Sequence, residues 1–598
     1  MKFHLFCLCL MATALNLPCA AQESTPDPDR DDAIPAASVN QEKRLLTDFE
    51  LADSLAIDKK IIDILKKHLS VLNRPAEPVT PVELRLLRTS VRKEITDIVA
   101  TEGYFSPSVT FQPHEKNGAG KVLIHIDLGP VTRVTSTRIT FTGDAVPAEL
   151  QQSMRATWGL PDGARFRDDD WVRSKNNLLE SLTDKSYAAA KITNSEALVQ
   201  DQQAELSIEL DSGPVFCFGE IKMEGLNSYQ PWLVQRYHPP QKGDTYSRET
   251  LLKFQRELQN SPYFSSVTVS VEPDPASADA VPVEVLLSER QKYDLGLGAG
   301  YSTNTGARGD VSFRDRNFLG DAYDLRSVIR IEQKRQIGYT DIYLPPQESG
   351  YLDSVGVLVD RSDISGLLTD ASSFGAKRVI TDKDIEHRMG LSYVYEESTV
   401  SGGNQTLAKA LVASLGWTRR EVDNVLDPRH GYIAQFDLGG AAKAVLSDQN
   451  FIRLYGKFQY WYSISPRDVL ILRAESGYVI APGSEGVPED YLFRAGGTAS
   501  VRGYSYQSLG VNQSNGVVGG RVMATGTTEY VHWTEGNWGV AVFVDEGDAA
   551  DRISVLRMQR GLGTGLRYKT PAGPIAIDLA YGSEVQKFRL DFSIGIAF

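Results

Sequence analysis

The last stretch of the chain, KFRLDFSIGIAF at residues 587–598, alternates strictly between large apolar and small or polar side chains. Its large apolar set consists of Phe588, Leu590, Phe592, Ile594, Ile596 and Phe598. A period of two places that set on one face of a β-strand and the intervening residues on the other. The length is close to the roughly 9–11 residues that a tilted strand needs to cross a bilayer. The stretch therefore predicts the closing strand of a transmembrane β-barrel.

Composition agrees with such a barrel and argues against other classes. The chain has 598 residues with 50 glycines, 25 tyrosines and a formal net charge of −14. The length predicts several domains, and the negative charge argues against a nucleic-acid partner. Beyond the N-terminus there is no apolar run long enough for a transmembrane helix. Barrel strands escape a hydropathy scan because their apolar residues alternate.

The N-terminal segment predicts export. Residues 1–21 have the charged start, short apolar region and small residues of a signal peptide. Cys19 also allows a lipoprotein, although the residues before it depart from a lipidation motif. Residues 22–43 are rich in Pro, Asp, Ser and Ala and predict a linker. Cys217 is the one cysteine after the signal peptide, so no disulfide is predicted within the mature chain.

An α+β pattern then occurs three times, over residues 44–130, 131–213 and 214–290. In the first unit, apolar spacing predicts helix from about Arg44, and a second helix begins with the capping box Thr80-Pro81-Val82-Glu83. Tandem repeats of this size are typical of binding arrays.

From Tyr293 onward the helical pattern is replaced by period-two strands separated by polar turns, which predicts a barrel over residues 291–598. About 16 strands can be distinguished, an even number that is typical of bacterial barrels. The predicted fold class is therefore α+β tandem repeats followed by an all-β transmembrane barrel of antiparallel strands. An array of soluble β-sandwiches is the alternative.

Two motifs in the barrel region stand out. The longest segment between predicted strands, residues 479–521, contains Val501-Arg502-Gly503-Tyr504. A loop of this length without regular structure is usually functional or disordered, and its glycines and arginine among apolar residues favour a tip that packs. The second motif, Phe543-Val544-Asp545-Glu546-Gly547, ends a strand on which Asp545 shares a face with Phe543. A surface turn and a solvated acidic turn are the respective alternatives.

No enzyme chemistry is predicted. The glycines of residues 561–565 resemble a nucleotide-binding loop, but no helix follows them, so alternate strand positions explain them better. No histidine pair has metal-ligand spacing and no nucleophile elbow is present. We therefore expect no cofactor and no metal.

Together these features resemble the BamA/TamA family of outer-membrane insertases. The N-terminal units are similar to POTRA (polypeptide-transport-associated) domains, and three of them resemble the TamA branch, the outer-membrane subunit of the translocation and assembly module. The barrel motifs that carry the resemblance are Val501–Tyr504, the Phe543/Asp545/Gly547 pattern, GLRYKTPAGP at 565–574, Asp427–Gly431 and the terminal Phe598.

The resemblance implies a barrel in the bacterial outer membrane with POTRA domains in the periplasm. It implies insertion of unfolded β-barrel clients, such as autotransporters, without ATP, and an inner-membrane-anchored TamB-like partner that docks on the first unit. It also implies that the long loop folds into the barrel as a lid and is locked there by a pair between Arg502 and Asp545. The implied lock consists of Val501, Arg502, Gly503, Tyr504, Phe543, Asp545 and Gly547.

The family further implies a lateral gate between the first and last strands. Its residues here are Leu295, Gly296, Leu297, Gly298, Gly300, Phe592, Ile594, Gly595, Ile596 and Phe598. Glycines weaken a strand, and a poorly held seam could accept an incoming strand by β-augmentation beside thinned outer-membrane lipid. Glycines that relieve crowding in a closed barrel are the alternative. The rival functions are a protein-secretion pore and an outer-membrane anchor for a lipid-transport bridge.

Overall fold

The computed structural model describes residues 45–51, 58–73, 77–116, 119–570 and 575–594. The predicted signal peptide and linker, and the gate residues Gly595, Ile596 and Phe598, lie outside the described residues. Within the described ranges, no helix is long and apolar enough to span a membrane. The chain divides into two compact units: the first runs to Thr137 and includes Gly159–Val172 and Ala197–Glu205, and the second comprises the remainder.

The first unit begins with a four-stranded sheet and two helices. Its elements are β1 Leu45–Leu51, α1 Lys59–His68, β2 Glu77–Val79, α2 Pro81–Thr101, β3 Ser108–Lys116 and β4 Ala119–Asp127. The strand order is β2-β1-β4-β3. The capping box at Thr80 and Glu83 is confirmed. The helix predicted from about Arg44 is wrong for residues 45–51, because that segment pairs with β4 as a parallel strand.

Two further mixed α/β sheets follow. The first contains β5 Arg133–Thr142, α3 Ala148–Ala156, α4 Asp168–Thr183, β6 Lys191–Gln200 and β7 Gln203–Asp211, in the order β5-β7-β6. The next contains β8 Phe218–Glu224, α5 Pro231–Gln235, α6 Arg248–Gln259, β9 Phe264–Val271 and β10 Val281–Glu289, in the order β8-β10-β9. Buried Phe216, Phe254, Tyr263 and Phe264 form much of this last core, which we call the third core.

The remaining chain forms the barrel. Its first eleven strands are β11 Tyr293–Ser302, β12 Gly306–Phe318, β13 Tyr323–Glu332, β14 Arg335–Tyr343, β15 Leu352–Ile364, β16 Leu367–Asp382, β17 Ile385–Val400, β18 Gln405–Val422, β19 Gly431–Ala441, β20 Phe451–Ser465 and β21 Asp468–Ile480. A short hairpin, β22 Val511–Gln513 and β23 Gly516–Val518, lies in the loop that follows. The last five are β24 Val522–Trp533, β25 Trp538–Ala550, β26 Gln559–Tyr568, β27 Ile575–Gly582 and β28 Lys587–Ile594.

The fold class predicted from the sequence is confirmed. One 16-stranded sheet runs from β11 to β28, omitting β22 and β23, and each neighbouring pair is antiparallel. Period-two alternation sorts the two faces: on β15, for example, Val355, Val357 and Val359 are exposed on the outer face. In a membrane this outer face would contact acyl chains.

The loop between β21 and β24, residues 481–521, is the segment that we call the lid loop. It contains regular structure that the sequence did not indicate, namely the β22–β23 hairpin and a 3-10 turn at Glu489–Tyr491. The hairpin is tied to the ends of neighbouring barrel strands, because Asn515 and Val517 donate backbone hydrogen bonds to Ser401 and Ser365.

Candidate functional site

The tip of the lid loop is buried inside the barrel. Val501 is fully buried, and Arg502 and Tyr504 are 3% and 2% exposed. Gly503 has a φ of +91°, a backbone conformation that disfavours any side chain. A Cβ at Gly503 would also lie 2.8 Å from the backbone nitrogen of Gly582 on β27. The tip therefore approaches the barrel wall closely because residue 503 is glycine.

Arg502 forms a bidentate ion pair with Asp545 on β25. Its Nε donates to Oδ2 at 2.7 Å and its Nη2 to Oδ1 at 2.9 Å. The backbone N–H of Arg502 donates to Oδ2 as well, at 3.0 Å. Arg502 Cζ lies 3.3 Å from the ring centroid of Phe543, which adds a cation–π contact. This planar, forked geometry suits a guanidinium and not an ammonium group.

Two further carboxylates complete the cluster around Arg502. Its Nη1 donates to Glu529 Oε2 on β24 at 2.9 Å and to Asp578 Oδ2 on β27 at 3.1 Å. Arg567 on β26 donates to the same two acids, and Arg473 on β21 contacts Glu529 at 3.2 Å. Three guanidinium groups therefore face three carboxylates. We call these six residues the arginine cluster. Arg502 ties the lid tip to β24, β25 and β27 by side chains, and Arg567 and Arg473 extend the cluster to β26 and β21.

A row of glycines makes room for this cluster. On β26, a Cβ at Gly561 would lie 2.1 Å from the backbone oxygen of Arg502, and one at Gly563 would lie 2.3 Å from Cζ of Phe543. A Cβ at Gly547 on β25 would lie 2.9 Å from Val501. The interpretation of residues 561–565 as strand positions is confirmed, and the structure shows why their inward side must be bare.

Tyr504 closes the tip on its other side. Its hydroxyl donates to the backbone oxygen of Arg560 at 3.4 Å and accepts from the backbone N–H of Glu584 at 3.2 Å. The side chain therefore spans the β26 edge and the turn before β28.

The opening strand β11 has one bare face and one apolar face. Leu295 and Leu297 are 71% and 80% exposed on the outer face. Gly296, Gly298 and Gly300 lie on the inner face, where added Cβ atoms would meet Ser312, Asp310 and Arg308 of β12 at 2.4, 2.3 and 2.8 Å. Since β12 side chains fold over these glycines, relief of crowding accounts for part of their presence.

The described part of the closing strand β28 runs to Ile594, whose backbone pairs with Ile575 of β27. The backbone N–H of Phe592 donates to Thr303 Oγ1 at 3.3 Å, in the turn after β11. Between residues 293–302 and 587–594 there is no backbone ladder; β11 pairs with β12 and β28 pairs with β27. We call this junction the seam.

Sequence reasoning missed several contributors to the site, notably Glu529, Arg567, Asp578 and, on β28, Arg589, whose Nη1 donates to Ser505 Oγ of the lid loop at 3.2 Å. A usable signal was present for the first three, because each is a charged residue at the inward position of an alternating strand. Their mutual proximity depends on the strand register, which a motif search does not provide.

The fold and the site together define an outer-membrane-type barrel with a lid loop anchored in its lumen. The Omp85 superfamily domain matches residues 293–598, more than half of the chain. The chain belongs to the Omp85 superfamily.

Its relatives include two outer membrane protein assembly factors named BamA. The one from Nitratidesulfovibrio vulgaris is 22% identical over 518 residues, covering 77% of this chain and 62% of the relative. The one from Neisseria meningitidis serogroup B is 22% identical over 465 residues, covering 70% and 56%. The chain thus spans less than two thirds of the length of either relative.

A similar solved structure is that of BamA from Haemophilus ducreyi lacking POTRA domains 1–3. The TM-score is 0.65 at 17% identity, and the match covers 77% of this chain and 98% of that chain. At this identity the similarity bears on the fold alone.

Proposed function

We propose that this chain is an outer-membrane assembly factor that inserts unfolded β-barrel clients, such as autotransporters, through the seam between β11 and β28. The barrel lies in the outer membrane and the N-terminal sheets act as POTRA domains in the periplasm. Membership of the Omp85 superfamily and the similarity to BamA assembly factors support this assignment.

The observation that carries the proposal is the seam. The strand order begins at β11 and ends at β28, and no ladder joins their described residues. Unpaired backbone groups are costly in lipid, and a client strand can satisfy them by β-augmentation. Leu297 and Leu590, 80% and 61% exposed on the two sides of the seam, would present apolar surface to the same lipid.

We assign a locking role to the lid tip. The bidentate pair of Arg502 with Asp545 is buried, so it is screened little by solvent. The arginine cluster positions the loop by holding its tip on the strands of the barrel wall.

The number of N-terminal sheets supports the TamA branch. Three separate mixed sheets precede the barrel in the described part of the chain, and three POTRA-like units are the number that the resemblance associates with TamA. On this basis we propose an inner-membrane-anchored, TamB-like partner that docks on the first POTRA-like unit, residues 44–130.

The rival functions make different demands on the molecule. A protein-secretion pore requires passage through the lumen, where Val501, Arg502 and Tyr504 are buried against the wall; the lid would have to leave. A lipid-transport bridge requires the N-terminal sheets but not a separable seam. Locking the seam therefore distinguishes the insertase from both.

The test is a covalent link across the seam. In the chain without its predicted signal peptide (residues 22–598) and carrying Cys217→Ser, Thr303→Cys and Phe592→Cys are joined by a short linker that forms a disulfide with each thiol and is cleaved by reductant, since Thr303 Oγ1 lies 3.3 Å from the Phe592 nitrogen. This protein is reconstituted in liposomes and offered an unfolded barrel client. We expect insertion to be lost when the link forms and to return when it is cleaved.

The matched control links Thr340→Cys to Val357→Cys, which already face each other in the β14–β15 ladder. This link leaves the seam free, so insertion should continue. Insertion that persists with the seam linked would reject the route through the seam, and no insertion in either the linked or the unlinked chain would favour the bridge or the pore.

A further inference from the structure

The lid loop contacts the β11 side of the seam. Asn304, in the turn after β11, donates from Nδ2 to Thr498 Oγ1 at 3.0 Å, and its Oδ1 accepts from the backbone N–H of Thr498 at 3.5 Å. Gly497, with a φ of +96°, lies so close that a Cβ would be 2.9 Å from Asn304 Oδ1. Residues 497–498 of the lid therefore pack directly on the opening hairpin.

The same loop also contacts the β28 side of the seam. Arg589 on β28 donates from Nη1 to Ser505 Oγ of the lid at 3.2 Å and from Nη2 to the Thr303 carbonyl at 3.0 Å. Its Nε donates to Asp591 Oδ1 at 2.9 Å, and Asp591 Oδ2 accepts from the backbone N–H of Gly503 at 3.4 Å. One guanidinium thus joins the closing strand, the lid and the opening hairpin.

These contacts converge on one short region. The carbonyl of Thr303 accepts a hydrogen bond from Arg589, and its Oγ1 accepts one from the Phe592 N–H. The neighbouring Asn304 forms a hydrogen bond with Thr498 of the lid loop. Arg502, between the two lid contacts, anchors the loop to the strands that precede β28. Separation of β11 from β28 must break the bonds to Thr303 and must also release the lid from at least one side.

We propose that the lid loop is a clasp across the seam, with Arg589 as the positioning residue that couples the lid to the gate. The clasp rests on the proposed function, because it assumes that β11 and β28 separate. Its contacts are those of Thr303, Asn304, Thr498, Ser505, Arg589 and Asp591. A lysine at position 589 keeps the charge but loses the forked donors that reach three partners.

The experiment measures the seam directly and without a client. Spin labels are placed at Leu297→Cys and Phe588→Cys, positions that are 80% and 72% exposed, in residues 22–598 carrying Cys217→Ser, which leaves no native cysteine to be labelled. The protein is held in bilayer nanodiscs, and pulsed electron resonance gives the distance distribution. We expect Arg589→Ala to raise the fraction of molecules with a longer distance between the two labels about tenfold, equivalent to about 1.4 kcal/mol. Arg589→Lys should give a smaller rise, as should Asn304→Ala.

Arg521→Ala is the matched control. Arg521 forms a comparable bidentate pair, with Asp551 at 2.7 and 2.8 Å, at the base of the same loop, and it does not contact the seam. It should leave the distances unchanged. An unchanged distribution in Arg589→Ala, or an equal widening in Arg521→Ala, would overturn the clasp.

Two provisions keep the outcome decisive. If Arg589→Ala does not fold, Ser505→Ala and Thr498→Ala remove lid contacts on either side while leaving Arg589 in place, and both should widen the seam. Client insertion is scored separately: if the distances widen but the chain with a linked seam still inserts client, the clasp stands and the proposed route through the seam falls. If insertion needs the seam but the distances do not respond, the clasp falls alone.

Discussion

At the scale of single residues, Arg502 is the most constrained side chain of the site. Arg502 is buried and contacts three carboxylates. Two further guanidiniums, those of Arg473 and Arg567, give the cluster three positive and three negative charges. Such an arrangement is a poor source of net stability, because burial of each charge offsets most of the attraction. Its effect is specificity: Asp545 is paired with a guanidinium only when the lid tip is docked, whereas Glu529 and Asp578 also bind Arg567.

Replacing Arg502 by alanine should therefore release the lid. It leaves three carboxylates facing two arginines, and breaking a buried pair typically costs roughly 3–5 kcal/mol. We expect a protease to cleave within residues 481–521 at least tenfold faster, with Arg502→Lys intermediate. Arg419→Ala is the control, since its pair with Glu421 on β18 is exposed and contributes little. Equal cleavage in Arg502→Ala and the parent chain would contradict the locking role.

At the scale of elements, β26 shows how a strand can be shaped by a loop that packs on it. Its outer face carries Leu562 and Leu566, whereas its inner face carries glycines at 561, 563 and 565. The inner side is thereby shallow enough to accept the Arg502 backbone and the Phe543 ring.

A single methyl group on this face should disturb the lid. Gly561→Ala places a Cβ 2.1 Å from a backbone oxygen, which cannot rotate away. Overpacking of this kind costs about 1–3 kcal/mol, so hydrogen exchange at residues 501–504 should accelerate by one to two orders of magnitude. Gly526→Ala on β24 is the control, since the nearest atom to its Cβ is 3.9 Å away. Unchanged exchange in Gly561→Ala would mean that the lid does not depend on the bare face.

At the scale of the whole molecule, the second unit joins its last mixed sheet to the barrel through the end of β12 and the turn that follows it. Tyr229 and Tyr263, both buried, donate from their hydroxyls to the backbone oxygens of Arg316 and Ala322 at 3.1 and 2.8 Å. Ala322 belongs to the third core. These contacts attach the sheet to β12 and to the turn that precedes β13.

This junction should be sensitive to acid through Glu289. Burial alone raises the pKa of Glu289, but backbone N–H groups of Asn227, Ser228 and Tyr229 outweigh it and hold the pKa below its ordinary value of 4.5. A lowered folded-state pKa contributes stability that is present above pH 4.5 and is lost as the pH falls through the folded value. Protection of the 227–229 amides, measured by hydrogen exchange and corrected for intrinsic rates, should therefore fall in acid.

Glu289→Gln supplies the comparison for that measurement. The neutral amide accepts weaker bonds, so protection should already be reduced at neutral pH and should then change little on acidification. The same acid response in Glu289→Gln and the parent chain would assign the effect to another group.

Strand periodicity is a local property, so much of the barrel could be predicted from the sequence. Each strand can be recognised within about ten residues, because side chains two positions apart share a face. The motif at 543–547 ends one of these strands, and the motif at 501–504 was found because it lies in the longest segment between them. The segment Leu45–Leu51 was assigned wrongly because its strand state depends on pairing with β4, more than sixty residues later.

By itself, the sequence determined the number and faces of the strands, the bare inner side of β26 and the presence of an arginine in a long loop. Only the tertiary structure decided which carboxylates that arginine meets and that the lid reaches both sides of the seam. The partners of the seam contacts lie far apart in the chain: Thr303 and Arg589, for example, are joined across nearly the whole barrel domain. Such contacts follow from strand register, and register is set by the sum of pairing and turn geometry around the sheet rather than by any local pattern.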